Sequence, residues 1–284
     1  ENVPEDIVTN EKYNGAYLDR TISSSFTPGS TFKVVTAASA MEHLSDWESR
    51  TYTCNGSVTI NGQKITCMGN HGEIGMQAAL GNSCNVYFAQ LAVDLGKDAM
   101  TETANEMGFN QAQKLDEIVV TASTYDVSEA DDNALAWSGI GQYKTLVTPY
   151  HMMRMMGAIA NGGAPVEPHL VSSMSGSGLS SYQSKTETGD RMMEESTAKA
   201  LQKMLRGNVE SYYASGMFPD SMQVCAKTGT AEVGEGKEDT GWVAGYCANP
   251  DTPYAFAAVV EEGGFGSQSA APIVSELLRQ LESK

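Results

Sequence analysis

Three short groups of polar residues have the types and the chain order that nucleophilic catalysis by a serine requires. The first, Ser30-Thr31-Phe32-Lys33, follows a Pro-Gly turn and opens an apolar run. The second, Ser83-Cys84-Asn85, is the only Ser-x-Asn in the chain, and the third, Lys227-Thr228-Gly229-Thr230, lies in a β-prone run. Together they supply a nucleophile, a candidate base, a polar relay and a second cation.

Lys33 is the residue that most needs an explanation, because it stands in an apolar run between Phe32 and Val34. Positions i and i+3 share one face of a helix, so the Lys33 amine can reach the Ser30 hydroxyl. Burial disfavours an ammonium, and a second cation from Lys227 would disfavour it further. The pattern predicts a neutral amine that takes the Ser30 proton, although a lysine that simply extends its head group to solvent is the alternative.

The Ser-x-Asn group is predicted to handle protons and to hold the substrate. Ser83 can relay a proton between Lys33 and a leaving amine, and Asn85 can bind a substrate amide through both its oxygen and its nitrogen. Alone, Ser83 could equally be a helix cap, and Asn85 an ordinary turn residue.

The Lys-Thr-Gly-Thr group is predicted to face the substrate from a strand. Lys227 supplies positive charge, and the hydroxyls of Thr228 and Thr230 are suited to a substrate carboxylate. Gly229 leaves the strand without a side chain where the nucleophile's helix must approach.

Two further segments imitate these motifs in unsuitable contexts. Ser196-Thr197-Ala198-Lys199 follows two glutamates, and Ser196 there is predicted to cap a polar-faced helix. Lys185-Thr186-Glu187-Thr188 lies in a Ser/Gly/Thr-rich loop. The prediction therefore depends on the joint occurrence of three ordered groups, since a lone Ser-x-x-Lys is weak evidence.

Composition excludes several function classes. The 284 residues are 41% apolar with a net charge of −17, which suits a globular core and argues against a nucleic-acid surface. No apolar window approaches the ~18 residues of a membrane span, and residues 1–15 do not resemble a signal peptide. The five cysteines form no CxxC or Cys/His pattern, so neither a metal nor a cofactor is predicted.

The cysteines leave one question open. Cys54 and Cys67 flank the Asn61-Gly62 turn, and Cys225 and Cys247 lie on strands that are expected to pair. Disulfides in these two pairs and buried free thiols are both compatible with the spacing.

Periodicity and turn residues predict an α+β fold, in which an antiparallel sheet is flanked by helices beside a mostly helical lobe. Helices are expected at about 30–44, after 82 up to a stop at Gly96, and at 148–163, 196–207 and 268–282. Asn61-Gly62 predicts a hairpin at 51–68, and three β-prone runs between 222 and 262 predict an antiparallel sheet.

The three groups resemble the Ser-x-x-Lys, Ser-x-Asn and Lys-Thr-Gly motifs of penicillin-binding protein transpeptidase domains, of the class B (monofunctional) type. The similarity extends to "CNGSVTINGQKITCMGNHG", "GIGQYKTLVTPYHMMRMMGAIANGG" and "AKTGTAE…GWVAGY", and so covers most of residues 25–284. The resemblance implies the fold shared with serine β-lactamases.

It also implies a D,D-transpeptidase that cross-links peptidoglycan stem peptides ending in D-Ala-D-Ala. The reaction would pass through an acyl-enzyme on Ser30, and β-lactams would acylate the same serine. Backbone N–H groups of Ser30 and Thr230 would form the oxyanion hole. The implied location is the extracytoplasmic face of the bacterial membrane, with cell-wall elongation or division proteins as partners. A β-lactam sensor, a β-lactamase and a D,D-carboxypeptidase share the same machinery and remain alternatives.

The sequence departs from the family pattern at two places. Tyr143 stands where glycine is more common, and residues 1–27 lack the two strands that usually precede the Ser-x-x-Lys helix. We therefore expect a lead-in segment at 1–27, a transpeptidase domain at 28–284, and a fragment without the membrane anchor, pedestal and first strands.

Overall fold

The computed structural model describes residues 4, 6–176, 181–234 and 236–282. Its α-helices are α1 (Arg20–Ser23), α2 (Lys33–His43), α3 (Met76–Gly81), α4 (Asn85–Glu106), α5 (Asp132–Gly139), α6 (Pro149–Ala160), α7 (Glu195–Ser211) and α8 (Ala270–Glu282). Its strands are β1 (Thr51–Ile60), β2 (Gln63–Gly75), β3 (Gln113–Leu115), β4 (Ile118–Val120), β5 (Ser173–Met174), β6 (Tyr182–Gln183), β7 (Val224–Ala231), β8 (Thr240–Cys247) and β9 (Ala255–Val260).

The predicted antiparallel sheet is present and has the order β7-β8-β9. Every residue of the central strand β8 is buried. One face packs on α8, where Val274 and Leu278 meet Val224 and Val243. The other face joins the large core of the helical lobe through Trp242. The predicted α+β architecture is therefore confirmed.

Helix α8 is only partly covered by the sheet. Val274 and Leu278 are buried against the sheet, whereas Ile273 and Leu277 are more than half exposed. The apolar stripe of this helix is wider than the surface that the sheet offers to cover it.

The nucleophile's helix begins with a tighter turn than predicted. Residues Gly29–Phe32 form a 3-10 helix, and regular α-helix starts only at Lys33. Phe32 anchors this junction in the core, where its ring stacks on Tyr125 at 5.2 Å between centroids. Residues 33–40 of α2 are all buried, so the helix runs through the interior of the lobe.

The predicted hairpin forms around Asn61 and Gly62, whose φ angles of 49° and 76° lie in the left-handed region that this tight turn requires. It is longer than predicted, because β2 continues to Gly75. The pairing slips twice, between Cys54 and Asn55 and between Asn55 and Ser57. These irregularities determine where the side chains of β2 point.

The predicted helix stop at Gly96 is confirmed, because its φ of 78° and ψ of 171° are non-helical, and a second helical stretch follows this kink to Glu106. One other helix boundary differs from the prediction. Ser196 is not the cap of α7, because Glu194 occupies that position and Ser196 lies inside the first turn. The helix predicted from residue 148 is confirmed as α6, which Thr148 caps by accepting a hydrogen bond from the His151 N–H.

All five cysteines are free thiols in the structure. Cys225 lies opposite Tyr246, and Cys247 lies opposite Val224, so the two side chains point to opposite faces of the sheet. A bridge between them is excluded by this register. The Cys54–Cys67 bridge is likewise not formed, and both residues belong to a cluster described below.

The segment before residue 28 is in contact with the sheet and the lobe. Phe26 pairs with Val147 through backbone hydrogen bonds, and the Thr27 carbonyl accepts one from Trp242 Nε1 at 2.9 Å. Residues 1–3 and 5 of the predicted lead-in lie outside the described residues. Within the described part of the chain, every helix is too short or too polar to cross a lipid bilayer.

Candidate active site

Ser30 lies where the 3-10 turn presses against strand β7. Gly29 has φ 52°, and a Cβ there would overlap the carbonyl oxygen of Thr230. From the other side, a Cβ on Gly229 would come within 2.9 Å of Thr31 Cγ2 and 3.0 Å of the Pro28 carbonyl oxygen. The two glycines allow the Ser30 turn and β7 to touch, as the sequence predicted for Gly229.

Lys33 is completely buried beneath Ser30. Its Nζ lies 3.0 Å from Ser30 Oγ, which confirms that the two side chains meet across one helical turn. The same amine donates to the Ser83 carbonyl oxygen at 2.7 Å and to Asn85 Oδ1 at 2.6 Å, and it lies 3.3 Å from Ser83 Oγ. The lysine is therefore held by polar partners inside the lobe and does not extend to solvent.

The Ser83 segment is the loop between α3 and α4, and it approaches the lysine from the far side. Ser83 adopts φ 54°, a left-handed conformation that is unusual for serine. Asn85 is the first residue of α4, and its Nδ2 donates to the Thr66 carbonyl oxygen at 2.9 Å. The Cys84 side chain, not that of Ser83, caps α4 by accepting from the Tyr87 N–H. The Ser83 side chain is therefore not used as a helix cap, and its hydroxyl faces Lys33 and Lys227.

Lys227 completes the group from β7 and is also fully buried. Its Nζ donates to Ser83 Oγ at 3.1 Å and to the Thr228 carbonyl oxygen at 2.7 Å. Tyr213, which sequence reasoning did not single out, accepts from the Thr228 N–H at 2.9 Å and so supports this strand from the end of α7. No motif marks Tyr213, because its role follows from contact with a distant strand.

Burial controls the charge of both lysines. It lowers the pKa of Lys33 to about 7, although the nearby sulfurs of Cys67 and Cys84 act in the opposite direction. Burial, together with the positive charge of Lys33, also lowers the pKa of Lys227 well below its usual range. Two ammonium groups on either side of one hydroxyl repel each other, so a neutral amine is available near neutral pH.

These contacts form one hydrogen-bonded chain from Ser30 through Lys33 and Ser83 to Lys227. Such a chain can remove a proton from an attacking hydroxyl and deliver one to a leaving group on the far side. Five of the predicted site residues, Ser30, Lys33, Ser83, Asn85 and Lys227, meet here. The half-buried Thr228 and Thr230 lie on the same strand as Lys227, with Gly229 between them.

The imitating segments lie elsewhere. Ser196 and Lys199 are exposed on α7, where Lys199 forms an ion pair with Glu195 at 2.6 Å. Residues 185–188 are exposed as well. His71 belongs to the long strand β2. Tyr143 has φ 60°, which explains why glycine suits this position.

The fold and the site bring a serine hydroxyl beside a buried lysine, on a turn that packs against the edge strand of an antiparallel sheet. The family model "Penicillin binding protein transpeptidase domain" matches residues 2–279, and the chain belongs to this family.

Individual relatives agree with this assignment. The chain is 29% identical over 271 residues to the peptidoglycan D,D-transpeptidase PbpA of Mycolicibacterium smegmatis, covering 90% of this chain and 55% of the relative. It is 27% identical to the stage V sporulation protein D of Bacillus subtilis, covering 90% and 42%. The chain thus spans about half the length, or less, of these curated relatives.

Solved structures show the same fold. Penicillin-binding protein A from Mycobacterium tuberculosis, as a ceftriaxone acyl-enzyme complex, superposes with a TM-score of 0.88 at 26% identity, covering 96% of this chain and 64% of that one. The D,D-transpeptidase domain of a peptidoglycan glycosyltransferase from Eggerthella lenta gives 0.83 at 25% identity, covering 95% and 69%.

Proposed function

We propose that this chain is a serine D,D-transpeptidase domain that cross-links peptidoglycan stem peptides and is acylated by β-lactams at Ser30. The observation that carries the proposal is the buried Ser30–Lys33–Ser83–Lys227 chain of hydrogen bonds. The relatives named as D,D-transpeptidases and the acyl-enzyme structures support it.

In the acylation step, Ser30 Oγ attacks the carbonyl carbon of the donor amide while neutral Lys33 takes the hydroxyl proton. The carbonyl oxygen becomes an oxyanion, for which the backbone N–H groups of Ser30 and Thr230 are the proposed donors. When the C–N bond breaks, the leaving amine receives a proton from Ser83 Oγ. Lys33, which now holds the Ser30 proton and lies 3.3 Å from that hydroxyl, passes the proton to Ser83 and becomes neutral again.

The second half-reaction reverses these roles. An acceptor amine attacks the ester carbonyl and gives up a proton to the Lys33 and Ser83 pair, which is ready to accept one after acylation. The C–O bond to Ser30 breaks, and Ser30 Oγ regains a proton. A new amide bond forms, so the enzyme returns to its starting state without a cofactor.

Recognition of the donor is assigned to the Lys227–Thr230 strand. The proposed donor ends in D-Ala-D-Ala, whose terminal carboxylate the Thr228 and Thr230 hydroxyls and the charge on this strand would bind. Asn85 is proposed to bind the donor's amide. Because peptidoglycan lies outside the cytoplasm, we place the activity at the extracytoplasmic face of the membrane; elongation or division proteins as partners stay a prediction.

The lifetime of the β-lactam adduct separates this proposal from a β-lactamase. Among the described residues, no carboxylate is hydrogen-bonded to Ser30, Lys33, Ser83 or Lys227. An attacking water therefore has no carboxylate beside it to act as its general base. Losing general-base help slows hydrolysis by about 10²–10⁴-fold. We expect nitrocefin turnover to stop after about one equivalent and the adduct mass to persist for many minutes.

A matched control uses Ser30→Ala, which should give no nitrocefin burst. Sustained turnover by the wild-type chain that disappears in Ser30→Ala would instead identify a β-lactamase. A long-lived adduct without transfer to any amine would favour a β-lactam sensor, and transfer to water alone would favour a D,D-carboxypeptidase.

A further inference from the structure

Four side chains with metal-binding atoms converge directly behind the Ser83 segment. Cys54 belongs to β1, Cys67 and His71 belong to β2, and Cys84 immediately precedes α4. One ligand atom from each, three sulfurs and an imidazole nitrogen, lies within 4.8 Å of all the others. Chain positions as distant as 54 and 84 thus meet in a single cluster.

The spacing of these atoms fits a tetrahedral ion. Ligands about 2.0–2.3 Å from a zinc ion at tetrahedral angles are about 3.5–3.8 Å from one another. Cys67 Sγ lies 3.8 Å from Cys84 Sγ and 3.7 Å from His71 Nδ1. Three thiolates and one imidazole are also the ligand set of a structural zinc site. We propose that Cys54, Cys67, His71 and Cys84 bind one zinc ion.

The irregular pairing of the hairpin explains how the ligands meet. Asn55 pairs with Asn70 and Ser57 with Thr66, so β2 contributes the extra residues Cys67, Met68 and Gly69 against one residue of β1. A second slip follows, because Cys54 pairs with Gly72 and leaves His71 unpaired. Bulges of this kind redirect side chains. Here they turn Cys67 and His71 towards Cys54 and Cys84.

The surroundings suit a bound metal better than a disulfide. Cys54 and Cys84 have no exposed surface, and the Tyr87 N–H donates to Cys84 Sγ at 3.4 Å, a contact that would also stabilise a thiolate there. A Cys67–Cys84 disulfide would bring these two sulfurs to about 2.05 Å and leave Cys54 and His71 without a role. On zinc binding, the three thiols each release a proton to solvent as the sulfur–metal bonds form.

Four protein ligands leave no open position for substrate, so the proposed role is structural. Its consequence for the active site rests on the proposed function. Cys84 stands between Ser83 and Asn85, both of which contact Lys33. A metal bound at Cys84 would hold the left-handed Ser83 in place against the two lysines. The metal would be a positioning element for the hydroxyl that relays protons.

The test is metal analysis of the whole chain, purified under reducing conditions without chelator. We expect about one zinc per chain. After replacement of zinc by Co²⁺, the protein should show the visible bands of a tetrahedral cobalt site and the near-ultraviolet thiolate-to-cobalt charge transfer. Cys67→Ser and His71→Gln should lose the metal, whereas Cys225→Ala, a buried cysteine outside the cluster, should keep it. Zinc removal should also lower the Tm and the rate of β-lactam acylation.

The metal readouts do not depend on enzyme activity, so they separate this inference from the proposed function. Absence of zinc together with absence of a cobalt spectrum in the folded wild-type chain would overturn it. If the ligand variants fail to fold, the wild-type cobalt spectrum still decides. Full metal content with unchanged acylation after metal removal would keep the site and refute its positioning role.

Discussion

The Ser30→Ala variant is expected to form no β-lactam adduct and to lose all acyl transfer, since no other hydroxyl of the network occupies the nucleophile's place. Ser30 Oγ lies beside Lys33 Nζ on the turn that packs against β7, whereas Ser83 Oγ lies between the Nζ atoms of Lys33 and Lys227. Deleting one hydroxyl removes a hydrogen bond worth about 1 kcal/mol, so the fold should survive. Intact-mass spectrometry after penicillin exposure measures the adduct.

Ser196→Ala is the matched control, because Ser196 belongs to the imitating Ser-x-x-Lys and lies exposed on α7. It should acylate like the wild type. An adduct that persists in Ser30→Ala and disappears in Ser196→Ala would reverse the assignment of the nucleophile.

Lys33→Arg is expected to slow acylation by about 10²–10⁴-fold, the contribution of a general base. A guanidinium keeps its proton at any working pH and cannot accept one from Ser30. Lys33→Met tests the same point without placing a permanent charge in the buried site, and it too should lose acylation. The second-order rate constant with a fluorescent penicillin is the measurement. Lys199→Arg, on the exposed face of α7, should leave that rate unchanged.

The pH profile gives an independent check on Lys33. Because burial lowers its pKa to about 7, the neutral amine increases as pH rises through 7, and the acylation rate should rise with it and then level off. The sulfurs of Cys67 and Cys84 act in the opposite direction and raise the pKa of Lys33, but burial is the larger effect. An acylation rate that falls as pH rises in this range would show that Lys33 is not the general base. Acylation of the Lys33→Arg variant at the wild-type rate would show the same.

Local sequence signals predicted the elements that carry the site. Asn61-Gly62 located the hairpin, Thr148-Pro149 began α6, and three β-prone runs gave the sheet with Lys227 on its first strand. The meeting of Ser30 and Lys33 followed from helical spacing alone. These features depend on residues that are near one another in the chain, where periodicity and capping are informative.

Features that depend on distant contacts were not predictable. The left-handed Ser83 and its position between two lysines arise from packing of the α3–α4 loop against β7. The lack of a CxxC or Cys/His pattern predicted no metal site. The bulges that bring Cys54, Cys67, His71 and Cys84 together are set by the pairing of β1 with β2, which spacing does not reveal. The second helical stretch of α4, beyond the predicted stop at Gly96, was not predicted; it buries Met100 and Ala104 in the core.

Acyl transfer to an amine is the measurement that tests the central claim most directly. The chain would be acylated by a thioester analogue of a D-Ala-ending donor and then offered a D-amino acid as acceptor, with products and enzyme followed by mass spectrometry. We predict an acyl group mapped to the peptide that carries Ser30, its loss when the amine is added, and an equal amount of new amide product. Release only as the hydrolysed acid, at a rate that the amine does not change, would contradict the assignment as a transpeptidase.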